Sequence, residues 1–373
     1  MSMIAVNVLR IPTKGPGDVS GLLEQIEAGR LAPSSILAIL GKTEGNGGVN
    51  DFTREYAVSA LCQALSTHLR LPPRAVEDRI AFVMSGGTEG VLSPHLTIFT
   101  RTEVVDARAG VTNGGNDKRL SVGIAHTRDF LPEEIGRKVQ IEETVKAVHA
   151  AMRDAGIDNS SDVHFVQVKC PLLTSERIEA ALDRGHKTIT TSAYGSMGYS
   201  RGASALGVAK ALGEIAGDID ESRVSKDWDL FSSVASASAG IELMHNVVIV
   251  MGNSARAMSP FVIGHALMRD ALDLSAVLAA FKSVGLGLAD ATMHDRLVNV
   301  FAKAEASPDG IVRGFRHTML DDSDVGSTRH ARAAVGGLIG GVSGSGAVYV
   351  SGGAEHQGPP GGGVVAVIAR CDV

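Results

Sequence analysis

Three segments of this 373-residue chain follow the same course. Each has an apolar strand ending on a lysine, a helical stretch with an arginine after Thr or Ser, and a second apolar strand ending on a serine. The lysines are Lys42 ("SILAILGK"), Lys169 ("DVHFVQVK") and Lys303 ("LVNVFAK"). The arginines are Arg54 ("FTREYAVSALCQAL"), Arg201 ("YSRGASALGVAKAL") and Arg329 ("STRHARAAVGGLIG"). The serines are Ser85, Ser238 and Ser351, and four residues behind them stand Glu89, Glu242 and Glu355. Successive lysines lie roughly 130 residues apart, far beyond the about 20–50 residues of a solenoid repeat. The pattern therefore predicts three α/β units around a common axis. Links rich in Gly, Asn and Ser ("ARAGVTNGGNDKR", "GNSARAMSP") place the units at 1–104, 112–250 and 256–373. The run "NVVIVMGNS" fits either the end of the second unit or the start of the third.

Thr53, Ser200 and Thr328 precede the arginines and are good N-cap types, so each arginine is expected at a helix start. A cation there opposes the helix dipole. Three such choices imply that the arginines face something anionic or rich in carbonyls. "GKTEGNGG" is not a phosphate-binding loop, because the glycine needed five residues before Gly41 is Ile36.

Composition excludes several classes of function. Net charge is −6 with no Lys/Arg-rich run, which argues against a nucleic-acid surface. No segment approaches 18 uninterrupted apolar residues, so no membrane partner is expected. The three cysteines are far apart and form no CxxC pair, which argues against a zinc site or disulfide framework. The first residues lack the apolar stretch of a signal peptide, so the expectation is a reduced, cytoplasmic, soluble protein. Aromatics make up only 4%, which leaves a core of Ala, Val, Ile and Leu.

Three Lys–Ser pairs converging on one axis would constrain the chemistry. A serine hydroxyl attacks only when a base takes its proton. Lysine can be that base if burial and neighbouring cations push its pKa toward neutrality. The arginines and the other serines then donate to carbonyl oxygens or to an oxyanion. Such a set points to acyl chemistry on a small, oxygen-rich ligand of threefold character.

The long motifs "GKTEGNGGVNDFTREY", "FVMSGGTEGVLSPH", "SMGYSRGASALG", "RHTMLDDSDVGSTRHARA" and "YVSGGAEHQGPPGGG" resemble the cyanuric acid hydrolase/barbiturase amidohydrolases, and the resemblance spans essentially the whole chain. It implies three structurally homologous α/β units arranged about a pseudo-threefold axis, one central active site, no organic cofactor and a homotetramer. It implies Ser238 as nucleophile and Lys169 as base, with Lys42 and Lys303 supporting. It assigns substrate contacts to Arg54, Ser85, Gly86, Arg201, Ser238, Ala239, Arg329, Ser351 and Gly352. The implied substrate is a small cyclic imide. Cyanuric acid would open to carboxybiuret, which loses carbon dioxide to give biuret, a step of s-triazine degradation. It also implies a structural divalent cation, Mg²⁺ or Ca²⁺, held by Glu305 and the loop residues Ala354, Gln357, Gly358, Pro359 and Gly362.

The second unit departs from the others, with Ser238-Ala239-Gly240 where they have Ser-Gly-Gly. Ser236, two residues earlier, would share a strand face with Ser238 and is the rival nucleophile. Cys170 would point to the opposite side and reads as a buried small residue. His317, His330 and His356 form no ligand pattern and read as helix-end or loop histidines. Val325, in "DDSDVGST", is the candidate contact separating cyanuric from barbituric acid. The alternatives are therefore a barbiturase and a catalytically silent ligand-binding protein.

Overall fold

The computed structural model describes residues 3–104, 118–290 and 292–371. The first boundary, placed within 107–119, lies mostly outside the described residues. The first unit runs β1 (Met3–Pro12), α1 (Ser20–Glu27), β2 (Ile36–Thr43), α2 (Phe52–Leu69), α3 (Pro73–Arg79), β3 (Ala81–Gly86) and β4 (His95–Val104). The second runs β5 (Arg119–His126), α4 (Lys138–Asp154), β6 (Val163–Pro171), α5 (Ser175–Asp183), α6 (Ala193–Leu212), β7 (Ala235–Gly240) and β8 (Val247–Ser254). A two-residue strand, β9 (Ala257–Met258), follows and pairs with β1. The third runs β10 (Phe261–Met268), α7 (Leu274–Ser283), α8 (Met293–Arg296), β11 (Leu297–Ala304), a small hairpin of β12 (Ile311–Val312) and β13 (Phe315–Arg316), α9 (Ser327–Ser343), β14 (Tyr349–Gly352) and β15 (Gly363–Arg370).

One strand order recurs in the three main sheets: β3-β2-β4-β1, β7-β6-β8-β5 and β14-β11-β15-β10. In each, the lysine strand and the serine strand are parallel neighbours joined through helices, the connection that parallel pairing requires. The other neighbours in these four-strand orders are antiparallel, while β9 adds parallel to β1 at the edge of the first sheet. Each sheet thus has a fourth strand, β4, β8 or β15, inserted between the first strand and the lysine strand. "NVVIVMGNS" is β8 and closes the second unit, reaching Ser254 rather than 250.

Each sheet is covered on both faces, which is why β2, β6 and β15 are buried along nearly their whole length. One face of each sheet turns to a common core, where Val8, Leu40 and Phe99 meet Leu120, Phe165 and Ile249, and Phe261, Phe301 and Ile368. The scarce aromatics concentrate there: the Phe301 ring centroid lies 5.4 Å from Phe165, 5.6 Å from Tyr349 and 6.3 Å from Phe99. The outer faces pack on helices in three further clusters, one per sheet. No helix among the described residues is long and apolar enough to cross a membrane.

Candidate active site

In all three sheets the strand register sets a lysine directly opposite a serine: Lys42 beside Ser85, Lys169 beside Ser238, and Lys303 beside Ser351. Adjacent strands are only about 4.8 Å apart, so backbone pairing by itself brings each lysine alongside its serine. The three serines, with Gly86, Ala239 and Gly352, line one small chamber of about 30 Å³. It opens into a vestibule of about 510 Å³, whose walls share Gly47, Met197, Arg201, Arg332 and Gly352 with it. The lysines are fully buried behind the serines.

The Lys–Ser contacts are not equivalent. Lys42 Nζ donates to Ser85 Oγ at 3.1 Å, and Lys303 Nζ to Ser351 Oγ at 3.2 Å. Lys303 also donates to the carbonyls of Ala237 (2.7 Å) and Gly352 (3.0 Å). Lys169 turns to Glu242 at 2.6 Å and to the Met84 carbonyl at 3.4 Å, with no hydrogen bond to Ser238. Ser238 Oγ instead meets Ser351 Oγ at 3.2 Å.

Burial is the main cause that lowers all three lysines. Arg332 and Lys303 add to it at Lys42, which falls well below the usual lysine range. Arg201 adds to it at Lys303, which falls to about 7. At Lys169 the Glu242 carboxylate opposes burial, while Arg54 acts with it. The expected depression is therefore present, but desolvation and arginines produce it more than the other lysines do.

Two expectations about the arginines need correction. The helices begin earlier than the sequence suggested. Asp51, not Thr53, caps α2 and accepts from the Thr53 N–H at 3.1 Å. α6 is capped by Ser192, which leaves Ser200 and Arg201 two turns inside the helix. Gly326 precedes α9, so Thr328 is already helical. The dipole argument thus does not apply to Arg201, which is positioned instead by sharing the cavity-facing side of α6 with Met197, one turn earlier.

The second correction concerns Arg329. It reaches the vestibule but is 44% exposed, and the arginine in the chamber wall is Arg332, one turn along α9. Arg332 clamps Glu89 with Nε (2.8 Å) and Nη2 (2.6 Å), and Arg201 clamps Glu355 with Nε (2.8 Å) and Nη2 (2.7 Å). Both clamps join two units, and both leave Nη1 outside the fork. Arg54 is held differently, donating from Nη1 to Ala239 O (3.0 Å) and from Nη2 to Gly48 O (2.7 Å).

The other candidates are placed as follows. Ser236 lies one step deeper on the same strand and donates to Gln167 Oε1 at 3.0 Å, away from the chamber. Cys170 is buried in the core of the second unit, and burial raises its thiol. Val325 sits on the turn before α9, while its neighbours Gly326, Thr328 and Arg329 line the vestibule. His356 stacks on Trp228 and accepts from the Ser225 N–H through Nε2 at 2.7 Å, a structural role. His330 pairs with Asp322 at 2.9 Å.

Glu305, Ala354 and Gly358 come together at a second cavity of about 310 Å³, beside Glu355. The Gln357 side chain is turned away, accepting from Ala237 N at 2.7 Å and donating to Gly353 O and Glu355 O. Of the loop, Pro360 and Gly361 line that cavity, rather than Pro359 and Gly362. Burial, then the Glu355 charge, raises the Glu305 carboxyl, and no ion pair to it is seen among the described residues. A divalent cation fits this carboxylate. No three His, Cys, Asp or Glu side chains cluster among the described residues, so backbone carbonyls would supply the other ligands.

A chamber lined by three serines, backed by three buried lysines and ringed by arginines has the groups needed to activate a hydroxyl toward a small acyl compound. The chain belongs to the family described as "amidohydrolase ring-opening protein", which matches residues 7–370. It is 70% identical to the cyanuric acid amidohydrolase of Bradyrhizobium diazoefficiens and 60% identical to that of Pseudomonas sp. strain ADP, covering 99% of this chain in both cases and 99% and 100% of those proteins. A solved cyanuric acid hydrolase, described as arising by structural concatenation, superposes with a TM-score of 0.93 at 60% identity. That match covers 99% of this chain and all of the other.

Proposed function

We propose that the protein opens the ring of cyanuric acid by serine attack, with the chamber as a threefold receptor. The observation that carries this reading is the convergence of three register-paired Lys–Ser sets and three arginines on one chamber. Cyanuric acid offers three equivalent carbonyls, and each unit brings one serine and one arginine to the chamber that would receive them. Ser238 Oγ attacks a ring carbonyl carbon, and its proton passes to Lys169. The tetrahedral intermediate collapses with cleavage of the ring C–N bond, and the departing nitrogen takes the proton. Water then attacks the acyl carbon, freeing Ser238 and releasing carboxybiuret, which loses carbon dioxide to give biuret. Ser85, Ser351 and the arginines donate to the other carbonyls throughout. A divalent cation at Glu305 would be structural, bracing the loop that carries Glu355 and hence Arg201.

One observation favours a second assignment of the base. The contacts Ser238 Oγ–Ser351 Oγ and Ser351 Oγ–Lys303 Nζ, both 3.2 Å, form a continuous path from nucleophile to lysine. In that case K303A, rather than K169A, abolishes turnover while S351A cuts it severely.

The test of function is hydrolysis of cyanuric and barbituric acid side by side, followed by loss of ring ultraviolet absorbance. Turnover of cyanuric acid to biuret and carbon dioxide is expected. Preference for barbituric acid would move the assignment to a barbiturase, and inertness to both would leave a ligand-binding protein.

A further inference from the structure

The glutamates behind the serines break the repeat at one place. Glu89 and Glu355 each clamp an arginine of another unit. The glycine beneath each clamp lies in the left-handed region, Gly87 at φ 109° and Gly353 at φ 77°, where a Cβ would run into the guanidinium of Arg332 or Arg201. By the same pattern Glu242 would clamp Arg54 above Gly240. Instead Glu242 pairs with Lys169 at 2.6 Å, and what a Cβ on Gly240 would strike is the Glu242 carboxylate itself. Arg54 Nε is left buried without a hydrogen-bond partner, with Asp51 at 3.9 Å. The unit carrying this exchange is also the one with Ser-Ala-Gly in place of Ser-Gly-Gly.

We propose that Glu242 is the positioning residue that distinguishes Lys169 from Lys42 and Lys303: its carboxylate is withdrawn from Arg54 to orient Lys169 and to stabilise the ammonium formed when Lys169 takes the Ser238 proton. The inference rests on the reading of Lys169 as base. Glu242 lies in the loop after β7 with its side chain reaching inward, 29% exposed. The charged groups facing the pair are Arg54 from α2 and Arg177 from α5, with the Cys170 thiol next to Lys169 on β6. Among the described residues no second carboxylate pairs with Lys169, so removing the charge of Glu242 leaves the Arg54 cation acting on it unopposed. Lys169 then releases its proton more readily and stays neutral to lower pH.

The experiment is the pH profile of kcat/KM for cyanuric acid hydrolysis by the wild type, E242Q, E89Q and K169A. In E242Q the acidic limb is expected to move to lower pH by about one unit or more, while the limiting kcat falls about tenfold as the base weakens and loses its orientation. E89Q, which loosens an arginine clamp, is expected to raise KM and leave the limb in place. An unmoved limb in E242Q, with a rise in KM like that of E89Q, would overturn the proposal. Should glutamine not be tolerated, E242D keeps the charge but draws it back, and must move the limb the same way by less; an E242D limb at the wild-type position overturns it equally. Loss of turnover in K169A with an unmoved E242Q limb defeats this inference alone. Retained turnover in K169A defeats the reading beneath it.

Discussion

Arg329 and Arg332 sit one turn apart on the same helix, and both reach for Glu89. Their surroundings separate them. The Arg332 side chain is 4% exposed and forked onto the carboxylate, whereas Arg329 makes a single exposed contact. Replacing Arg332 by alanine removes a chamber donor and leaves Glu89 without its clamp, so kcat/KM is expected to fall about 100-fold or more. The Arg329 pair is worth little in water, and R329A is expected to stay within about threefold of the wild type. Steady-state kinetics of the two variants checks this, and a larger loss in R329A would contradict it. "STRHARA" shows two arginines on one helical face, but nothing in residue type says which is covered. The lysines and serines were legible because a register pair needs only strand ends at fixed positions. The exchange of partners at Glu242 was not, since the glutamates recur at identical spacing in all three units.

At the scale of elements, helix existence was readable and helix starts were not. Ser200 has the chemistry of a cap, yet it lies inside α6, where Gln140 of α4 donates to its Oγ at 2.9 Å. Tertiary packing there outweighs local preference. Close approach of α4 and α6 depends on Gly207, whose Cβ would stand 2.5 Å from Thr144 Cβ and 2.7 Å from the Ile141 carbonyl. G207A gains about 1 kcal/mol of helix propensity but meets overpacking of about 1–3 kcal/mol. Because one blocked neighbour is backbone, overpacking is expected to win, with a net loss of up to about 2 kcal/mol. Gly337 on α9 has nothing within 4 Å of a Cβ, so G337A is expected to gain up to about 1 kcal/mol. Urea unfolding of both variants measures the contrast, and equal shifts would refute it. The fourth strand of each sheet escaped the repeat analysis because its polar residues, Arg101 in β4, Ser254 in β8 and Arg370 in β15, form no pattern shared by all three.

At the scale of the whole molecule, three sheets enclose the chamber, and charged pairs across their junctions link stability to pH. Burial alone would raise the Glu242 and Glu355 carboxyls, but Lys169 with Arg54, and Arg201, hold them at about 2 against the ordinary 4.5. Their stabilisation is complete above about pH 4.5 and is lost as pH falls from there toward 2. Lys303 acts in another window. The unfolded lysine takes a proton as pH drops below 10.5, whereas the folded one resists until about 7, so stability declines across that range and then levels. The urea midpoint is thus expected to drop between about pH 4.5 and 2, and E355Q, weaker at neutral pH, should lose less on acidification. A midpoint flat through that acid range would contradict these pairings.

Central to the account is that the repeat supplies three serines and uses one as nucleophile. Measuring kcat and KM for S85A, S238A and S351A in parallel on cyanuric acid tests this most directly. S238A is expected to lose turnover by about 1,000-fold or more, while S85A and S351A keep measurable kcat with raised KM. Near-normal kcat in S238A, or abolished turnover in S85A, would contradict it.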